Sequence, residues 1–90
     1  MKAKEYSERF NSNPTATVLA EIWCDFDKET TAIVRARGVK RDSAFKAVLN
    51  EMDLKWQAFA RLTNGAIRPD GYRIIMRKLH PETAAFAWPE

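Results

Sequence analysis

The chain holds one cysteine, Cys24, and one histidine, His80, in 90 residues. One cysteine closes no internal disulfide, and one Cys with one His falls short of the four ligands of a structural zinc site. No metal and no cofactor are expected. Glycine is sparse at three residues, and Gly65 and Gly71 flank a proline-containing loop unlike a nucleotide cradle. Long apolar runs are missing as well: Thr15 to Ala20 ends at Glu21, far short of the roughly 18 residues a membrane span needs. The opening Met1-Lys2-Ala3-Lys4-Glu5 has no apolar core behind it, which argues against a secretory signal and for a cytoplasmic protein.

What is present is the balance of a folded domain: 46% hydrophobic residues, 30% charged residues and a net charge of +3. The length suits one domain over residues 1–90, and the apolar spacing predicts an all-α fold, a small helical bundle built on a long helical hairpin. Asn13-Pro14 reads as a cap followed by the one position where a helix accepts proline. From Thr15, the residues Leu19, Ile22, Trp23, Phe26, Ile33 and Val34 share a stripe, opposite Glu21, Asp25, Lys28 and Arg35, up to a stop at Gly38. A second helix opens at Asp42-Ser43 and carries Phe45, Val48, Leu49, Met52, Trp56 and Phe59 as far as Asn64-Gly65. Before both, Lys2 to Phe10 reads as a short helix that lays Tyr6 and Phe10 on the bundle. Trp23 and Trp56 lie on the two stripes and are expected to pack against each other.

The segment 72–79 fits two periods. Tyr72, Ile75, Met76 and Leu79 match a helix, whereas Tyr72, Ile74 and Met76 match one face of a short strand. The Pro69-Asp70 opening and the unbranched residues at its end favour helix, stopped by Pro81. A last helical turn or two follows, bringing Phe86 and Trp88, which need a surface to cover in this chain or a partner. Aromatic anchors are enriched at protein contacts, so these two are the first candidates for a dimer or partner surface.

At the centre, a helix, a glycine turn and a second helix follow in the order of a helix-turn-helix DNA reader. Four cations, Arg35, Arg37, Lys40 and Arg41, fall within seven residues of that turn, where they suit phosphate contacts. Ser43, Lys46 and Asn50, with Gln57 further on, lie opposite the apolar stripe and offer groups that bond base edges. The turn departs from the standard motif: Ala44 and Ala47 stand where larger apolar residues are expected, so the turn is one residue longer, and Arg37 takes an inward-facing position. A second basic set, Arg68, Arg73, Arg77 and Lys78, could add a row of phosphate contacts or simply face solvent. The plain alternative for the first cluster is a solvated helix end whose cations complement the dipole.

Gly38-Val-Lys-Arg, Ala47-Val48, Trp56-Gln-Ala-Phe59, Pro69-Asp-Gly-Tyr72 and Leu79-His-Pro-Glu82, with Ala85 and Trp88 behind, resemble the KorA (TrfB-like) repressors of broad-host-range plasmids across residues 33–88. The resemblance implies a dimeric helix-turn-helix repressor that binds operator DNA. It places Lys40, Arg41, Ser43 and Lys46 in the DNA-facing region and implies a strand over 72–79. From Gly38 to Trp56 this chain is about one helical turn longer than that family.

Candidates for catalysis are few. Cys24 flanks the first long stripe, where free cysteines are mostly buried and inert, and His80 ends a helix, where an imidazole meets the dipole. The pairs Glu21/Asp25 and Asp25/Glu29 are four apart, but carboxylates so placed usually face solvent. A non-enzymatic protein without a small-molecule substrate is expected. Two readings stand: a repressor or accessory factor of a plasmid or phage that contacts double-stranded DNA, or an adaptor or inhibitor that binds a protein through its aromatic tail or its acidic set, Glu21, Asp25, Asp27 and Glu29.

Overall fold

Apolar residues at helical spacing build the fold, and the computed structural model describes residues 3–36 and 43–89. Among them are α1 (Ala3–Ser12), α2 (Ala16–Ala36), α3 (Ser43–Arg61), α4 (Gly71–Leu79) and α5 (Pro81–Ala87), so the fold is all-α. The Gly38 stop, the Asp42 cap and the side chain of Val34 lie outside the described residues. So do most of the residues of the glycine turn.

Helix α3 is the centre of the bundle, packed against α1, α2, α4 and α5. Its buried stripe holds Phe45, Val48, Leu49, Met52, Trp56 and Phe59, as the spacing predicts. Ile22 and Phe26 bring α2 to that stripe, and Tyr6 and Phe10 bring α1. All ten aromatic residues pair with another ring, and eight of them form one connected network. Its links include Tyr6 to Phe26 at 4.9 Å between ring centroids, Phe26 to Trp56 at 5.1 Å and Tyr72 to Trp88 at 5.8 Å. Tilted and edge-on pairs of this kind contribute about 0.5–1.5 kcal/mol each beyond their buried area. That compensates a domain too small to bury a large aliphatic core. Trp23 and Trp56 meet edge-on at 6.1 Å, as expected from the two stripes.

The helix ends follow local chemistry and correct two expectations. Helix α2 does not open at Asn13-Pro14: Thr15 is its cap, and its Oγ1 accepts from the Val18 N–H at 3.2 Å. Helix α4 opens at Gly71, after Pro69-Asp70, and Asp70 makes no side-chain capping bond because Arg68 takes both its carboxylate oxygens. Helix α3 ends at Arg61, and the chain turns through left-handed Asn64 and Gly65, with φ of 54° and 82°. There Thr63 ties the turn, its Oγ1 donating to Ala60 O at 2.6 Å and accepting from Ile67 N at 3.2 Å.

The segment 72–79 is helical, which overturns the strand that the family resemblance implied. Backbone bonds four residues apart mark both of its ends, Ile74 N–H to Asp70 O at 3.1 Å and His80 N–H to Met76 O at 2.7 Å, and Tyr72 and Met76 share its buried face. Pro81 stands at the start of α5, its fixed φ serving the first turn.

Candidate nucleic-acid interface

The site read from the sequence lies where α2 ends and α3 begins. Arg35 is exposed in the last turn of α2, and Ser43 is exposed at the first position of α3. Lys46, one turn on, is half-buried. Arg37, Lys40 and Arg41 lie outside the described residues.

Asn50 and Gln57 have other tasks. The Asn50 Oδ1 accepts from the indole N–H of Trp88 at 2.9 Å, and the Gln57 amide donates to Asp53 Oδ2 at 3.1 Å. Reading adenine takes both the oxygen and the nitrogen of an amide. With its oxygen bonded to Trp88, Asn50 is a poor base reader and a good clamp for the tail. Trp88 is only 6% exposed, packed on Tyr72 and under Arg73, so it covers its own chain. Phe86 is half-buried against Phe45 at 5.9 Å.

The second basic set divides in two. Arg73 is bound to the buried carboxylate of Asp53, Nε to Oδ2 at 2.9 Å, and lies 5.1 Å over the Trp88 ring. Arg68 grips Asp70 through Nε and one terminal nitrogen, both at 3.0 Å, and this contact holds the Asp70 carboxyl below its ordinary range. Arg77 and Lys78 are exposed in the last turn of α4, where cations also suit the dipole. Thus Arg77 and Lys78 stay available to a ligand, while Arg68 and Arg73 are engaged within the chain.

The acidic set of α2 is also engaged. Glu21 and Asp25 both meet Arg9 of α1, and Glu29 receives Lys55 of α3 at 2.7 Å. Asp27 lies 3.7 Å from the His80 imidazole. Arg9 and Lys55, cations from other helices, therefore face Glu21, Asp25 and Glu29 and weaken their field.

Cys24 is exposed, against the expectation of a buried thiol. It lines an open depression between α1 and α2 with Arg9, Ala20, Glu21 and Lys28. No group of three or more metal-ligating side chains gathers among the described residues. Nor is any of their helices long and apolar enough to cross a membrane.

One feature of α3 escaped the sequence reading. Leu54 is 62% exposed, on a face with Ala47 and Ala58 opposite the buried stripe, and Leu62, just past the helix, is 49% exposed. The spacing of small and apolar residues on that face was the available signal, masked by the attention that the polar residues beside it draw. A comparison with protein-family models, curated proteins and solved structures found no match.

Proposed function

We propose that this chain is a small, non-enzymatic, cytoplasmic DNA-binding protein that grips duplex DNA where α2 ends and α3 begins. Arg35 and Lys46 are its described phosphate contacts, Ser43 faces the groove, and Arg37, Lys40 and Arg41 extend the basic set between the two helices. The observation that carries this reading is the pairing of the α2 carboxylates. Glu21, Asp25 and Glu29 face Arg9 and Lys55, so three of the four acids that would repel DNA have a cation beside them within the chain. Arg35 and Lys46 have no such partner among the described residues. Phosphate contacts supply most of the affinity in such a complex, and sequence preference is modest when base-reading amides are engaged elsewhere.

The role of a plasmid or phage repressor or accessory factor follows from the resemblance at Gly38-Val-Lys-Arg and Pro69-Asp-Gly-Tyr72. A protein adaptor is the less favoured reading, because both of its features, the α2 acids and Trp88, make contacts inside the chain. Anisotropy of a labelled random duplex, titrated at low and then near-physiological salt, tests the proposal. Binding that falls steeply with salt supports it. No binding at low salt overturns it.

A further inference from the structure

One face of α3 runs through exposed Ala47, Glu51 and Leu54, half-buried Ala58 and exposed Arg61, at alternating steps of four and three residues. That spacing places all five on one side of a helix, the repeat of a helix that packs lengthwise against another. Leu54 is 62% exposed at the middle of the face, with small Ala47 two turns before it and small Ala58 one turn after it. Glu51 and Arg61, both exposed, lie beyond Leu54 and Ala58 and have no ion-pair partner among the described residues. Ten positions apart, about 15 Å along the axis, they cannot reach each other within one helix.

We propose that this face pairs with the same face of a second copy, antiparallel, about a twofold axis level with Trp56. A twofold interface brings each residue opposite its counterpart across the axis. Leu54 then seats on Ala58 of the other copy, a large residue over a small one. Glu51 meets Arg61 of the other copy, and the symmetry makes this ion pair twice. A parallel arrangement would set Glu51 against Glu51 and Arg61 against Arg61, and like charges in register select against it. The pattern of charge thus chooses a second copy, in one orientation, as the occupant of the face. The proposal stands apart from the DNA reading. If both hold, the two α3 N-termini lie about 40 Å apart along the paired helices, close to the 34–36 Å turn of DNA.

Sedimentation equilibrium of the full chain, without DNA, from micromolar to near-millimolar concentration tests the pairing. The expected result is a reversible dimer of the 10.4 kDa chain. Leu54→Glu, Glu51→Arg and Arg61→Glu each weaken it roughly tenfold or more while the far-UV circular dichroism stays unchanged, since all three sites are exposed. Mixing the Glu51→Arg and Arg61→Glu proteins restores the dimer, because every ion pair is then complementary again. A monomer at every concentration overturns the proposal, as does a dimer indifferent to the three substitutions. Failure of the mixture to reassociate overturns the antiparallel register.

Discussion

Arg73 of α4 donates through Nε to Oδ2 of Asp53 on α3 at 2.9 Å, and that carboxylate is 2% exposed while Arg73 stays in contact with solvent. Gln57 donates to the same oxygen, and Oδ1 has no hydrogen-bond partner among the described residues. A buried carboxylate bonded on one side contributes little net stability but is costly to strip of its cation. Arg73→Ala is therefore expected to destabilise the fold by about 3 kcal/mol, with Trp88 loosened from its cover. The double change Asp53→Leu with Arg73→Met is expected to lie within about 1 kcal/mol of the parent. Urea unfolding of the two variants measures both.

Tyr72 carries a second buried polar link. The Thr30 hydroxyl gives its proton to Phe26 O at 2.8 Å, so at 3.1 Å it is the Tyr72 hydroxyl that donates to Thr30. Burial pushes the Tyr72 phenol up to about 12, and the nearby carboxylates of Asp27 and Asp53 add to the rise. The unfolded phenol ionises near its ordinary value of 10.0. The folded chain thus holds the proton more tightly, and its stability, complete below pH 10, falls as pH rises towards 12. The loss from Tyr72 amounts to about 2–3 kcal/mol. Tyr72→Phe is expected to cost about 1 kcal/mol at neutral pH and to flatten this alkaline decline. Tyr6, raised mainly by burial, keeps a residual slope in the variant. Thermal unfolding between pH 8 and pH 12 reads the difference.

Gly71 opens α4 against a ring. A Cβ there would stand 2.8 Å from Nε1 of Trp56, whose N–H donates to Arg68 O at 3.0 Å. Trp56 is buried among Trp23, Phe26 and Phe59 and has no room to withdraw. Alanine is the better helix former by about 1 kcal/mol, yet overpacking costs about 1–3 kcal/mol. Gly71→Ala is accordingly expected to lower stability and to alter the near-ultraviolet circular dichroism of the tryptophans. An unchanged spectrum with raised stability would contradict the close approach.

The parts of the fold that rest on local pattern were legible in the sequence. Phe45, Val48, Met52 and Trp56 mark the buried stripe of α3 by spacing alone, and Pro81 and Asn64-Gly65 mark breaks by their backbone preferences. Thr15 outcompeted Asn13-Pro14 as the α2 cap, a choice set by which side chain reaches Val18. Contacts between distant positions were not legible. Asn50 meets Trp88 across 38 positions and Arg73 meets Asp53 across 20, so polar residues that look free in the sequence turn out to be engaged. For the same reason the acids of α2 look like an exposed patch until Arg9 and Lys55 are placed beside them.

The most direct measurement of DNA binding is the dependence of the duplex association constant on salt, compared among the parent protein, Arg35→Ala, Lys46→Ala and Lys28→Ala. Lys28 is exposed on α2 beside the Cys24 depression, away from the α2–α3 end. Each phosphate contact removed lowers the slope of log K against log salt by about one. That reduction is expected for Arg35→Ala and Lys46→Ala, with an unchanged slope for Lys28→Ala. Equal slopes for all four proteins, or no binding at low salt, would contradict the DNA reading.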